Sequence, residues 1–263
     1  MELWKPASIG LKQTLHSQIG PFSLYVKRSA DELYVAHQRH EADSLDGEPY
    51  KISRPLGNSE LDASKFDWSR WIIGDKLDTV QLVPVMPDRP VVVKSEMPVK
   101  IPSGHQARFF ISIPVWLKLT AACSDRLNIC ELPSVILSSM WFGDPTAGEL
   151  CYTLRTRARR TLERDQARPY RALCPVTVKN ESGSLLDFQR LCIRVEYLKI
   201  YQGDSQLCTN SVLIKYHNQD GTTEINYGCT EPDFEQNPVM LSDSRMPFRQ
   251  SLLKRSFHFC WFL

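Results

Sequence analysis

The sequence predicts an all-β protein, and three observations lead to this fold class. Short β-branched and aromatic runs alternate with turn signals about every ten residues, which is typical of antiparallel sandwiches and barrels. Helical periodicity is nearly absent, since only residues 159–166 and 251–256 suggest short helices. One long stretch, residues 90–152, is also repeated in shorter form at residues 175–227.

The repeated stretch contains four matches in the same order. Pro90-Val-Val-Val-Lys-Ser-Glu96 returns as Pro175-Val-Thr-Val-Lys-Asn-Glu181, with five of seven positions identical. The other matches pair 116–119 with 197–200, 134–137 with 211–214, and 144–152 with 220–227. A duplicated unit predicts two tandem, related antiparallel β-sandwich lobes of the immunoglobulin-like type. We expect residues 1–160 to form the first lobe and residues 161–263 the second.

Alternating apolar positions predict strands at 22–26, 33–36, 79–85 and 107–113. The first two form a hairpin, and Pro84 places the third at a sheet edge or bend. Residues 191–200 predict a further strand, on which Arg194 faces outward. Residues 1–18 and 37–65 lack periodicity, so we predict an irregular arm and a loop there.

Composition excludes several classes of function. The 263 residues are 42% hydrophobic and 24% charged, enough for a sizeable core. A net charge of +2 gives no global basic field, so a nucleic-acid partner is not predicted. We see no signal-peptide pattern and no apolar run of about 20 residues, so we expect a cytoplasmic protein without an integral membrane segment.

The eight cysteines include no Cys-x-x-Cys pair, and no histidine stands at zinc-ligand spacing from any of them. Several lie in predicted strands, where a reduced thiol behaves as a small buried apolar group. The sequence therefore predicts reduced, metal-free thiols and no cofactor.

One segment, residues 141–149, has the composition of a catalytic loop. Asp144 and Glu149 are two carboxylates that could divide acid and base work, and Trp141 and Phe142 supply an aromatic wall. The simpler interpretation is a hairpin tip, because residues 218–224 hold a similar turn at the same place in the second copy. No hydrolase, phosphate-loop or dinucleotide motif is present, so we predict no catalytic residue and do not favour an enzyme.

An arginine-rich connector, with seven arginines in residues 155–171, joins the two copies. On a strand, Arg155, Arg157 and Arg159 share one face, and guanidinium forks suit carboxylates. We therefore predict that these three arginines bind an acidic partner. The alternative is a solvated strand edge where charge prevents aggregation.

The last seven residues, 257–263, contain four aromatic side chains. They predict either a final strand of a sheet or a segment that inserts into a neighbouring subunit. A protein partner or a homo-oligomer is therefore expected.

Several motifs occur in an order that resembles a known family. They include Trp141-Phe-Gly-Asp-Pro145, Gly148-Glu-Leu-Cys-Tyr152, Leu173-Cys-Pro-Val176 and Arg190-Leu-Cys-Ile-Arg-Val195. The chain resembles the prokaryotic, β-rich family of unknown function DUF432 over most of its length. The resemblance implies no activity, cofactor or catalytic residue. The leading hypothesis is a non-catalytic interaction or scaffold protein, and the alternative is an enzyme or small-ligand binder with a site between the lobes near the Trp141 hairpin.

Overall fold

Strands account for nearly all of the regular structure, so the all-β prediction is confirmed. A computed structural model describes residues 2–40, 50–56, 66–73, 77, 79–122, 126–162, 168–204, 206–217, 222–228, 231–247, 252–255 and 257–258. Within this part of the chain, no helix has the length and apolarity to cross a membrane.

The strands, in chain order, are β1 Thr14–Ile19, β2 Phe22–Arg28, β3 Glu32–Arg39, β4 Tyr50–Leu56, β5 Ser69–Ile72, β6 Thr79–Val85, β7 Val91–Ile101, β8 Gln106–Pro114, β9 Trp116–Ala122, β10 Arg126–Pro133, β11 Ser138–Phe142, β12 Glu149–Ala158, β13 Arg171–Asn180, β14 Leu186–Ile193, β15 Ile200–Gln202, β16 Leu207–Thr209, β17 Val212–Tyr216, β18 Thr222–Tyr227, β19 Val239–Ser242, β20 Leu252–Arg255 and β21 Phe257–His258. Short 3-10 turns lie at Glu2–Trp4 and Val195–Tyr197.

The chain divides into two compact units, each assembled from separate stretches. Unit 1 comprises residues 1–84, 115–135 and 168–170, and unit 2 comprises residues 85–114, 136–167 and 171–263. The division of the chain into lobes at about residue 160 stays a prediction.

Unit 1 contains a five-stranded antiparallel sheet in the order β4-β1-β2-β3-β5. The β2–β3 hairpin agrees with the sequence pattern, with Phe22 opposite Arg39. The predicted arm and loop were wrong at β1 and β4, which are strands paired with each other. The inward positions of β1 include Ser17, and this buried polar residue interrupts the apolar alternation that would have revealed the strand.

A three-stranded sheet in the order β10-β9-β6 also belongs to unit 1. Strand β6 is at the end of this order, which agrees with the sheet edge expected from Pro84. Proline favours such a position because it cannot donate a ladder hydrogen bond. On β9, Leu117, Leu119 and Ala121 alternate into the core.

Unit 2 is built around β7 and β13, whose neighbours are exchanged. The strand after β7 along the chain is β8, but β8 pairs with β13, and β14, which follows β13, pairs with β7. Both pairings are antiparallel, whereas β12 pairs with β7 and β17 with β13 in parallel. The sheets of this unit are therefore mixed. The two tandem immunoglobulin-like lobes stay a prediction.

The four sequence matches fall on different kinds of structure. The first lies on β7 and β13, which have the comparable neighbours just described. In the second, residues 116–119 lie in β9, whereas residues 197–200 run from a 3-10 turn into β15. In the third, residues 134–137 precede β11, whereas 212–214 belong to β17. Asp220, expected at a hairpin tip equivalent to that of Asp144, lies outside the described residues. The duplication stays a prediction.

One buried amide connects the turns that follow β7 and β13. Asn180 is fully buried, and its Nδ2 donates to the carbonyl oxygens of Ile101 and Ser184, each at 2.8 Å. Its Oδ1 accepts from the backbone N–H and the hydroxyl of Ser182, at 3.0 and 2.7 Å. The backbone N–H of Asn180 donates to the carbonyl of His105 at 2.9 Å. All four side-chain hydrogen bonds of an amide are therefore satisfied.

Three other sequence predictions are corrected by the structure. The strand expected over 191–200 ends at Ile193 and is followed by the 3-10 turn. The helix expected at 251–256 is strand β20, paired with β18. The helix expected at 159–166 begins instead with an isolated β-bridge between Arg159 and Phe110, and residues 163–166 lie outside the described residues. At the C-terminus, β21 is a strand paired with β14, and residues 259–263 are likewise outside.

The burial of one face of β8 predicts a clear difference in stability between two isoleucine variants of unit 2. Ile111 is fully buried on β8, whereas Ile136 is 70% exposed. We expect Ile111→Ala to lower the free energy of unfolding by about 3 kcal/mol, since it leaves a cavity. Ile136→Ala should change it by less than about 0.5 kcal/mol. Urea denaturation followed by circular dichroism measures both, and equal effects would contradict the placement of β8.

Candidate functional site

The Trp141 segment is the turn of the β11–β12 hairpin, in which Phe142 pairs with Glu149. The carboxylate of Asp144 accepts from the backbone N–H of Thr146 at 2.8 Å and from its hydroxyl at 2.7 Å. The indole N–H of Trp141 donates to the backbone carbonyl of Asp144 at 2.9 Å. Asp144 therefore stabilises its own turn, as Asp side chains commonly do.

The other members of the predicted pocket point to different surroundings. Phe142 is buried in a small apolar cluster, whereas Trp141 is 51% exposed. Glu149 forms an ion pair with Arg194. The two carboxylates, Asp144 and Glu149, thus have separate structural partners, and the pocket expected at this hairpin stays a prediction.

Arg194 is buried, contrary to the outward orientation that the sequence suggested. Its side chain is only 3% exposed and pairs with Glu149, whose side chain is 29% exposed. The strand β14 ends just before Arg194, so the period-two alternation no longer decides its direction. Burial acts to lower the pKa of Arg194, but the surrounding acidic groups, Glu149 among them, raise it overall, so the guanidinium stays charged.

A pair of buried thiols lies beside this ion pair. The Sγ atoms of Cys151 and Cys192 are 3.8 Å apart, and both residues are fully buried. Val92, Phe142 and Met140 pack around them. The hydrogen bond with Cys151, together with burial, raises the pKa of the Cys192 thiol well above its usual value. The five described cysteines, at positions 130, 151, 174, 192 and 208, are free thiols.

Glu149, Cys151 and Cys192 each present a ligand atom, and these atoms lie within 4.8 Å of one another. Sequence reasoning missed this cluster because metal-ligand motifs are recognised by short spacings within one segment. Here the two cysteines come from β12 and β14, which lie on either side of β7. The available signal was the strand alternation, which places Glu149 and Cys151 on one face of β12.

The predicted arginines lie on the second half of β12. Arg155 and Arg157 are exposed, and between them Thr156 turns inward, where its hydroxyl donates to the carbonyl of Ser112 at 3.0 Å. Arg159 forms an ion pair with Glu96 at 3.5 Å. The three arginines are therefore not equivalent, because one of them already has an acidic partner.

Two further cations lie in register with Arg157. Arg157 pairs with Lys94 of β7, and Lys94 pairs with Arg190 of β14. Directly paired residues project from the same face of a sheet, so Arg157, Lys94 and Arg190 form a basic row across three adjacent strands. Among the residues that the structure describes, no acidic side chain is within ion-pair distance of any of the three.

The first half of β12 is enclosed by neighbouring strands, whereas the half that carries the arginines extends beyond β11, which pairs only with residues 149–153. β12 lies between β11 and β7 in the sheet order β11-β12-β7-β14-β21. Beyond the β11 pairing, the backbone of Arg159 bonds that of Phe110 on β8. The solvated strand edge therefore stays the alternative prediction for the arginines of β12.

A separate pocket of about 400 Å³ lies elsewhere in unit 2. Tyr197 and Tyr227 line it, with ring centroids 5.3 Å apart, and Lys199 and Asp243 form an ion pair of 3.1 Å at its wall. The volume is within the range of small-ligand sites, about 300–1,000 Å³. It does not include the residues of the Trp141 hairpin.

The family described as "Protein of unknown function (DUF432)" has a model that matches residues 3–261. The chain belongs to the DUF432 family. Neither the curated proteins nor the solved structures contain a match to it. The resemblance found in the sequence is confirmed, and membership of DUF432 brings no known activity to the site.

The buried ion pair predicts a strong response to loss of one partner. Arg194→Met should lower the free energy of unfolding by about 3 kcal/mol, because it leaves the carboxylate of Glu149 unpaired. The double variant with Glu149→Leu should recover much of that loss. Arg159→Met, which breaks a more exposed pair, should cost less than about 1 kcal/mol. Chemical denaturation of the four proteins measures this, and equal losses for Arg194 and Arg159 would contradict the burial of Arg194.

Thiol alkylation provides a pH-dependent test of burial. Burial raises the pKa of Cys130 to about 11, so its neutral thiol persists well above pH 8. We expect alkylation of Cys130 in the folded protein at pH 8 to be about a hundredfold slower than in urea. Its rate should still rise about tenfold per pH unit between pH 9 and 10, where an ordinary thiol levels off. Peptide mapping by mass spectrometry follows the site, and a plateau at pH 9 would argue against the raised pKa.

Proposed function

We propose that this member of DUF432 is a non-catalytic interaction protein that binds an acidic protein segment through its basic row. The observation that carries the proposal is the register of Arg157, Lys94 and Arg190 across β12, β7 and β14. Arg155 extends the same charge along β12. An extended acidic segment has carboxylates at intervals that can reach several of these side chains.

The energetics of the row favour a partner. Like charges directly opposite each other on neighbouring strands destabilise a sheet, by up to about 1 kcal/mol for each pair. Because the net charge is only +2, the row is a local concentration of positive charge and not part of a global field. An acidic segment bound across the row would relieve this repulsion and gain charge-assisted hydrogen bonds.

A catalytic function has less support from the residues. Asp144 and Glu149, the carboxylates that suggested acid and base chemistry, are held by Thr146 and Arg194. The Tyr197 pocket keeps small-ligand binding as the second candidate, since its volume and aromatic lining suit a small molecule. The interaction hypothesis ranks first because it accounts for the unbalanced cations.

We infer a cytoplasmic setting and a protein partner, with a second copy of this chain as the alternative occupant. Free thiols are typical of a reducing compartment, and five described cysteines are free. The charge of the row favours a different, acidic protein over a second copy, because two such rows would repel each other.

We also propose that residues 90–152 and 175–227 arose by duplication, and that β7–β8 and β13–β14 are their corresponding first strands. The reciprocal pairing of β8 with β13 and of β14 with β7 supports this origin. The parallel neighbours differ, since β12 is the second strand of its hairpin and β17 the first of its own. The proposed immunoglobulin-like lobes would have grown from this shared element.

The proposed binding surface is tested with a fluorescent oligoglutamate peptide and two matched triple variants. One variant replaces Lys94, Arg157 and Arg190 by Gln. The other replaces Lys5, Lys12 and Lys118 by Gln, with the same change in charge. Three exposed pairs of about 0.5 kcal/mol each predict about tenfold weaker binding for the first variant only. Binding of the wild type should fall steeply in 1 M salt, where the screening length is about 3 Å.

Thermal melting separates a binding role from a structural one. The row variant should melt at the wild-type temperature or slightly above it, because the like-charge repulsion has been removed. Fluorescence anisotropy measures the affinity and circular dichroism the melting temperature. Equally weakened binding in both triple variants would mean that only the net charge of the protein matters, which would contradict a specific surface. Unchanged binding in the row variant would refute the proposed surface.

A further inference from the structure

We propose that Glu149, Cys151 and Cys192 form a binding site for one thiophilic divalent cation, with Zn²⁺ as the best match. The site is distinct from the basic row and does not depend on the proposed interaction function. The argument rests on the separation of the two sulfur atoms, the order of the strands and the local charge.

The sulfur separation equals that of two ligands on one tetrahedral ion. Two thiolates bound to zinc at about 2.3 Å each lie about 3.8 Å apart when the angle at the metal is tetrahedral. The Sγ atoms of Cys151 and Cys192 lie 3.8 Å apart. The two sulfur atoms therefore already have the separation that two thiolates of one tetrahedral ion require.

The strand order excludes a disulfide bond between Cys151 and Cys192. Cys151 lies on β12 and Cys192 on β14, with β7 between them. Adjacent strands are about 4.8 Å apart, so two strand spacings separate the backbones by about 9 Å. A disulfide requires a Cα–Cα distance below about 7 Å. The pair is thus spaced for a single bridging atom and not for a direct bond.

Glu149 supplies a third ligand beside the thiols. Its Oε1 atom accepts from Arg194, and a carboxylate has a second oxygen with which to bind a metal. Alternation along β12 puts Glu149 and Cys151 on the same face. Three protein ligands leave one tetrahedral position for a further donor, as in zinc sites that bind water or substrate.

The charges of the occupied site would balance. Two thiolates and one carboxylate carry three negative charges, and a divalent ion together with the Arg194 guanidinium carries three positive ones. The side chain of Arg194 is buried and lies beside both Cys192 and Glu149. Buried charges are tolerated when they are paired in this way. A monovalent ion such as Cu⁺ would leave one negative charge uncompensated.

The test uses the full chain, reduced and freed of metal by a chelator. Cobalt is added as a spectroscopic probe, because Co²⁺ bound to thiolates gives an intense charge-transfer absorption. We expect this absorption to saturate at one equivalent of Co²⁺ and to disappear when one equivalent of Zn²⁺ is added. Cys151→Ser and Cys192→Ser should each weaken binding by at least about tenfold, since each removes a ligand.

Cys174→Ser is the matched control, because Cys174 is equally buried but lies outside the cluster. It should bind Co²⁺ as the wild type does. Circular dichroism verifies that each variant is folded. Should the cysteine variants not fold, Glu149→Gln decides, since it keeps both thiols and should bind Zn²⁺ at least about tenfold more weakly.

Several results would overturn the site. These are the absence of thiolate absorption in the wild type, its persistence in both Cys151→Ser and Cys192→Ser, and an equal loss in Cys174→Ser. Unchanged zinc affinity in Glu149→Gln would remove the carboxylate from the ligand set. Uptake of Cu⁺ without any uptake of Zn²⁺ would refute the assignment to a divalent ion.

Discussion

The buried side chain of Asn180 is the constraint on which the architecture of unit 2 depends. It bonds the end of β7 through Ile101 and the turn before β14 through Ser182 and Ser184. The exchanged pairing of β7, β8, β13 and β14 requires both turns to lie side by side. An amide with all four hydrogen bonds satisfied holds them there, and removing it would leave buried backbone groups unpaired.

Much of the fold could be predicted because it follows from local alternation. Phe109, Ile111 and Ile113 repeat every second residue, and the structure buries all three on β8. The direction of the Arg194 side chain could not be predicted from this alternation. Its direction depends on the strand ending one residue earlier, and a single position of shift reverses the face on which a side chain lies. The turn that follows Ile193 is not signalled by glycine or proline.

The candidate sites could be predicted only in part, because both depend on which strands become neighbours. The connector suggested Arg155, Arg157 and Arg159 from sequence spacing alone. Lys94 and Arg190 join Arg157 only through the pairing of β12, β7 and β14, whose members come from three distant segments. The same order brings Cys151 and Cys192 together. Long-range strand order is specified by the whole core, so no local motif records it.

The basic row and the cluster of Glu149, Cys151 and Cys192 lie on the same sheet but differ in the sign of the charges that they contribute. Val92 packs against Cys151 and Cys192, and Lys94 is at the centre of the row. The two residues lie two positions apart on β7 and so share a face of the sheet. On β12, one carboxylate oxygen of Glu149 accepts a hydrogen bond from Arg194. The positive charge at Arg157, Lys94 and Arg190 follows from the folded arrangement, in which Glu96, two positions beyond Lys94 on β7, already has Arg159 as its partner.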